Sequence, residues 1–531
     1  MIAIAIYAII LLAIGFVASK RMHDIKDYFA GGKKLGFLAV SFSARATGES
    51  AWLLIGLTGM GYALGVNAFW VVVGEILGVG GAWIFMSRRF KRLTDRYDSI
   101  TVPDYLESRF RDKTHALRLV AAGSLLVFVP IYAGAQVYAS GGAFFDFLGW
   151  PHYAGAAFGF VVVLIYITQG GFTAVVWSDV FQGSLMVVGL VVLPIIGLLE
   201  AGGITNIIDT LRTIDPHLLA LHGPGSAGDG GIVAPSTGGW NTGSIFAVVG
   251  LAAIGIGFWG SPQVFVRYIS MKDEKSILPG TATAIIWTLL ADSGAVLIGI
   301  FGRALFHEEV GADKEAVVSV MADTLLPAFF SGVFIAMVLS AIMSTIDSLL
   351  VLASSAVVRD FWQKTKNPDI SDSQLVSLSK QLTIVLAFVA FAIGIGLLAY
   401  DKEKPIFWIV IFGWSGIAAT FCPTMILSLY WSKFTANGAK YAMIAGFLGV
   451  PIFSFAVPPL LKAMNQEALA GYLSSLDVLL PAFLIGFTVA IVVSLLDKKG
   501  QTQLEGIEDD MLFAKTGNKT AYKTGYKTGN E

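Results

Sequence analysis

Several residues able to do chemistry lie inside apolar stretches, where a polar or charged side chain is costly unless it is paired or faces a cavity. The run Ser41-Phe42-Ser43-Ala44-Arg45-Ala46-Thr47-Gly48-Glu49-Ser50-Ala51-Trp52 sets an Arg and a Glu four residues apart among small, hydroxyl-bearing, helix-weakening neighbours. It is poor continuous helix. An interrupted span frees backbone carbonyls, which suit a dehydrated Na⁺ near the bilayer midplane. Arg45 and Glu49 fit two roles: an ion pair on one helical face, or direct contacts to a solute. A second run, Ser340-Ala341-Ile342-Met343-Ser344-Thr345-Ile346-Asp347-Ser348, puts Ser344, Asp347 and Ser348 on one face by i, i+3, i+4 spacing. Hydroxyls and a carboxylate are hard oxygen ligands, suited to Na⁺ rather than to a soft metal. A single hydroxyl more often bonds back to its own helix, but three with a buried acid favour a cation site. Asp179, in Val176-Trp177-Ser178-Asp179, reads either as the N-cap of the following helix or as a functional acid. In Gly255-Ile256-Gly257-Phe258-Trp259-Gly260-Ser261-Pro262, three glycines and a proline break another helix. Phe258 and Trp259 beside it either line a pocket or pack in the core or against lipid.

The elements that must position these residues are membrane spans. Of 531 residues, 55% are hydrophobic and 14% charged. The apolar residues come in blocks of about 20, enough helix to cross a hydrocarbon core of about 30 Å. About thirteen spans are expected, near 2–18, 37–66, 67–87, 117–148, 152–170, 178–200, 243–266, 278–304, 323–358, 380–400, 405–431, 438–461 and 476–497. With the first loop cytoplasmic, 29 of the 36 Lys and Arg fall on that side, six fall opposite, and Arg45 lies within a span. This bias places the N-terminus outside and the C-terminus in the cytoplasm. The expected units are a first span and loop (1–36), a first repeat (37–200), an external loop (201–242), a second repeat (243–431), two further spans (432–497) and a disordered tail (498–531). The two breaks lie five spans apart, which points to an inverted repeat with its site at the midplane.

The same sequence argues against other classes. It has no P-loop, nucleophile elbow or zinc-ligand cluster, and its six histidines fall in or near loops. An enzyme is disfavoured, as is ATP as energy source. No cofactor is expected apart from Na⁺ as coupling ion. The expected partners are the bilayer, Na⁺ and a small solute, with no nucleic acid and no obligate protein partner. The lone Cys422 allows no intrachain disulfide.

Taken together and in order, the motifs resemble the sodium/solute symporter family, most closely its bacterial sodium/proline branch. They are Asp27-Tyr28-Phe29-Ala30-Gly31-Gly32, Ala51-Trp52-Leu53-Leu54-Ile55-Gly56-Leu57-Thr58-Gly59, Trp177-Ser178-Asp179-Val180-Phe181-Gln182-Gly183, Gly260-Ser261-Pro262-Gln263 leading to Arg267, Met343-Ser344-Thr345 with Ser354-Ser355-Ala356, Gly413-Trp414-Ser415-Gly416 through Pro423, Trp431-Ser432-Lys433 and Asn437-Gly438-Ala439. The resemblance covers roughly residues 5 to 500 and implies an all-α LeuT-type fold, a 5+5 inverted repeat with additional helices. It implies Na⁺ ligands at the carbonyls of Ala46, Glu49 and Ala341 and the hydroxyls of Ser344 and Thr345. It implies a second sodium or coupling site at Asp179, Asp347 and Ser348, and places Tyr132 near the solute with Gln136 one turn on. The solute pocket would then comprise Arg45, Gly48, Ser50, Tyr132, Gln136, Phe258 and Trp259.

The chain departs from the branch at its pocket. Ile254 and Phe258 stand where proline transporters present a Trp and a Tyr, and Gly48 stands where an acid is expected. The expected activity is sodium-coupled uptake of a small polar solute, proline or another amino acid, by alternating access. Proton coupling, a sugar or organic acid as solute, and a solute-gated sensor or channel are the rivals.

Overall fold

The computed structural model describes residues 2–20, 24–223, 225–227, 233–235, 239–400 and 405–518. Arg21, His23, Lys402, Lys404 and the Lys-Thr-Gly-like run from 519 onward lie outside them. Eleven helical segments among the described residues are long and apolar enough to cross a membrane. One of them, Phe37–Arg96, has 60 residues, about 90 Å of helix at 1.5 Å per residue. That is roughly three hydrocarbon thicknesses, so it holds two crossings, parted at Gly65 (φ 59, ψ −134). The shorter apolar helix His152–Ile165 precedes Gly171–Glu200, from which a break at Gly171 (φ 55, ψ −157) divides it. With these two crossings the segments agree with the thirteen expected.

The helices that matter below are α1 (Ile2–Ser19), α2 (Phe37–Ala51), α3 (Thr58–Leu64), α4 (Phe69–Gly81), α5 (Ser87–Arg96), α6 (Ala116–Leu148), α7 (His152–Glu200), α8 (Thr242–Ala253), α9 (Pro262–Ser270), α10 (Ile277–Leu305), α11 (Ala328–Ser355), α12 (Asp372–Tyr400) and α13 (Ile406–Tyr430). Helix α2 is the hub and packs against α7, α9, α10 and α11. Every residue of α2 from Ser43 to Ala51 is buried, as is every residue of α11 from Phe334 to Ser355. A helix buried all round belongs to the interior of a large bundle. Helix α12, by contrast, exposes Val385, Phe388 and Val389, the apolar side chains a lipid-facing helix presents. Small residues set the closest approach. A Cβ at Gly255 would lie 1.9 Å from the Gly74 carbonyl oxygen on α4, so the backbones touch there only because both are glycine.

The long segment 201–242 carries a helix, Ile204–Ile214, and a two-stranded antiparallel ribbon, Gly225–Ala227 with Val233–Pro235.

Two expectations are corrected. Asp179 does not cap a helix: α7 resumes at the Gly171 break and Asp179 lies two turns inside it. The tail is not disordered from 498 onward, since Lys498–Gln503 and α14 (Ile507–Thr516) are helical. Helix α14 docks on α5. Arg96 pairs with Asp510 at 2.7 Å, Tyr97 donates to Asp510 at 2.7 Å, and Arg92 donates to the carbonyls of Ala514 and Lys515 at 3.0 and 2.9 Å. The polar composition of the tail suggested a solvated chain, but its acidic first turn has a basic partner some 400 residues earlier.

Candidate functional site

The site is built on the break in α2. Ser50 has φ 51 and ψ −165, a left-handed region costly for a residue with a Cβ. The break diverts backbone groups from their helical partners, and side chains take them up. The Ala51 N–H donates to Gln136 Oε1 at 2.9 Å. The Gly48 carbonyl accepts from Trp52 Nε1 at 3.1 Å. The Thr47 carbonyl accepts from Thr345 Oγ1 at 3.1 Å, and the Ala46 carbonyl from Ser344 Oγ at 2.9 Å. Ser344 Oγ also lies 3.2 Å from the Ala341 carbonyl. Three of the five expected Na⁺ oxygens, from Ala46, Ala341 and Ser344, therefore converge between α2 and α11. Thr345 reaches the carbonyl next along. The Glu49 carbonyl accepts the Trp52 N–H across the break, and its carboxylate goes to Arg45 instead.

Asp179, Asp347 and Ser348 meet at a different place, which already contains a cation. The Arg267 guanidinium, from α9, donates through Nε to Ser43 Oγ at 3.0 Å. Through NH2 it reaches Thr47 Oγ1 at 2.7 Å, Ser348 Oγ at 2.6 Å and Asp179 Oδ2 at 3.2 Å. Its NH1 donates to the Gln263 carbonyl at 2.6 Å. Ser43 donates to Asp179 Oδ2 at 2.6 Å, and Ser348 to Asp347 Oδ1 at 3.1 Å.

A third group of charges surrounds Arg45. It pairs with Glu49 one turn on, and its NH2 lies 3.5 Å from Glu75 on α4 and 4.0 Å from Asp292 on α10. The guanidinium carbon is 4.7 Å from the centre of the Phe258 ring and 5.6 Å from that of Trp287, within the range of cation–π attraction. One carboxylate oxygen from each of Glu49, Glu75 and Asp292 lies within 4.8 Å of the others. Arg45 is thus enclosed by acids and aromatics, which is the pair role extended to a cluster.

The remaining expected pocket residues divide. A Cβ at Gly48 would meet the Phe258 ring at 2.6 Å, so Phe258 uses the space left by the missing acid. Phe258 packs against Trp414 with ring centres 4.9 Å apart and the rings tilted by 52°. The carbonyls of the second break are also taken up by α13: Ile254 accepts from Trp414 Nε1 at 3.1 Å and Gly257 from Cys422 Sγ at 3.4 Å. Tyr132 packs against Gly413 of α13 and is buried, and its hydroxyl has no hydrogen-bond partner among the described residues. Trp259 lies apart, with its indole against Gly81 of α4. The structure therefore brings Gly48, Ser50, Tyr132, Gln136 and Phe258 around the two breaks, and sets Trp259 beside α4.

A family model described as the sodium:solute symporter family matches residues 28–446. The chain belongs to the sodium:solute symporter family. This symporter is 32% identical over 469 residues to a high-affinity proline transporter, PutP, of Bacillus subtilis, covering 88% of this chain and 94% of that protein. It is 28% identical to the sodium/proline symporter of Escherichia coli, covering 94% and 93%. Its fold is that of a solved Na⁺-coupled sialic acid symporter, with a TM-score of 0.73 at 19% identity over 93% of this chain and 97% of that one.

Sequence reasoning about the symporter missed Glu75, Asp292 and the roles of Arg267, Trp414 and Cys422. Glu75 and Asp292 carried a usable signal, since each is an acid inside an apolar span. Trp414 and Cys422 carried none, because an aromatic or a thiol in a span is ordinary.

Proposed function

We propose that this symporter takes up proline or another amino acid together with Na⁺ by alternating access across the plasma membrane, with its N-terminus outside and its C-terminus in the cytoplasm. The observation that carries this reading is the meeting of Ser344 Oγ with the Ala46 and Ala341 carbonyls, at 2.9 and 3.2 Å, beside the Ser50 break. Each oxygen offers a lone pair once the hydroxyl hydrogen rotates away, and a small hard cation takes such oxygens in place of water. Ion binding there ties α2 to α11 across the break. The solute, held near Ser50, Tyr132, Gln136 and Phe258, then meets a fixed α2. The proline transporters among the relatives support an amino acid as solute, and the basic residues on one side of the spans support the orientation. The membrane potential supplies about 2.3 kcal/mol per inward charge per 100 mV.

Proteoliposomes given an inward Na⁺ gradient at fixed pH test the reading, with labelled proline, other amino acids, sugars and organic acids offered in turn. Ser344→Ala should raise the Na⁺ concentration for half-maximal uptake about tenfold, a loss of roughly 1.4 kcal/mol. Thr345→Ala should act in the same direction. Solute uptake indifferent to Na⁺, or both variants with an unchanged Na⁺ requirement, would count against sodium at this place.

A further inference from the structure

The residues expected to form a second sodium site do not fit a second sodium ion. We infer that the Arg267 guanidinium is the resident cation of that place, so that the symporter binds one Na⁺ and not two. The inference rests on the sodium-coupled reading and deepens it by fixing the stoichiometry.

The argument is one of lone pairs and space. A Na⁺ between α7 and α11 would draw on Asp179, Ser348 and the hydroxyls facing them. Those oxygens already accept from Arg267: Ser43 Oγ at 3.0 Å, Thr47 Oγ1 at 2.7 Å, Ser348 Oγ at 2.6 Å and Asp179 Oδ2 at 3.2 Å. Asp347 takes the Ser348 hydroxyl at 3.1 Å, and so orients the hydroxyl that accepts from the guanidinium. All three guanidinium nitrogens donate, and the side chain is buried. A metal ion among these oxygens would sit a few ångströms from a fixed positive charge in a low-dielectric interior, where like charges repel strongly. Arginine keeps its charge even when buried, so the guanidinium does not yield the place by deprotonating.

Geometry also gives the tethered cation the work of an ion. It joins α9 to α2, α7 and α11, four helices contributed by both halves of the chain. Thr47 belongs to both places: its carbonyl takes Thr345 and its hydroxyl takes Arg267. A permanent cation one residue from Ala46 holds the inner part of α2 in register while the exchangeable ion comes and goes at Ser344.

Counting bound ions decides the matter without knowledge of the solute. Purified full-length protein in detergent is dialysed to equilibrium against radioactive Na⁺ across a range of concentrations. One ion per chain is expected for the wild type, with a Hill slope of about one. Ser348→Ala should still bind one ion with wild-type affinity, Ser344→Ala should bind one ion about tenfold more weakly, and Arg267→Ala should gain a second. Two ions on the wild type, with one lost in Ser348→Ala, would overturn the inference and leave sodium coupling standing. No ion on the wild type would remove the sodium-coupled reading itself. Arg267→Ala still binding one ion would show that the guanidinium does not hold a cation's place. Should that variant fail to fold, the wild-type count remains decisive.

Discussion

Two buried arginines sit on opposite sides of α2 and are treated differently by the fold. Arg267 has every nitrogen hydrogen-bonded and a matched carboxylate in Asp179. Arg45 faces three carboxyl groups, Glu49, Glu75 and Asp292, and its Nε and NH1 have no hydrogen-bond partner among the described residues. In the first the cation is fully partnered, and of its carboxylate only Asp179 Oδ1 is left without a hydrogen bond among the described residues. The second sets three carboxyl groups against one cation. A buried polar group repays its desolvation only when its partners are complete. The Arg267 side therefore serves as fixed structure, while the Arg45 side holds charge that the fold tolerates at a cost.

Variants that remove one charge should separate the two sides by sign, read as melting temperatures of detergent-purified protein. The largest effect is expected from Asp179→Asn, which strips the carboxylate from a buried guanidinium and should cost about 3–5 kcal/mol. Arg267→Lys keeps the charge but loses the planar fork that reaches four side-chain oxygens at once, and should cost about 1–3 kcal/mol. Glu75→Gln and Asp292→Asn should go the other way. Each relieves repulsion between like charges and should stabilise by roughly 1 kcal/mol. If they destabilise as much as Asp179→Asn, the two arginine networks are equivalent and the comparison fails. The smallest effect is expected from Trp414→Phe, which keeps an aromatic ring against Phe258 and deletes one hydrogen bond to Ile254, at about 0.5 kcal/mol. A larger loss would mean that the second break depends on α13 as much as the first depends on α6 and α11.

The site was legible in part, and particular residues show why. Spacing places Ser344, Asp347 and Ser348 on one helix face, and the structure divides them: Ser344 turns to the Ala46 carbonyl and Ser348 to Arg267. Gln136 was read as a solute contact, yet its Oε1 accepts the Ala51 N–H beyond the break. Only the separate path of α6 decides that. The α14 tail looked solvated because its partners on α5 are remote in sequence.

The sequence by itself determined the membrane spans, their number, the two breaks and the chemical class of the residues beside them. Those follow from local rules: apolar length, glycine and proline placement, and hydroxyls or charges in the wrong solvent. Tertiary structure alone decided which charges pair. Arg267 fills the place expected for an ion, and Glu75 and Asp292 join Arg45, because helices far apart in the chain become neighbours in the bundle. In a low-dielectric interior the energy of a charge is set by what stands a few ångströms away, and separation along the chain does not record that distance.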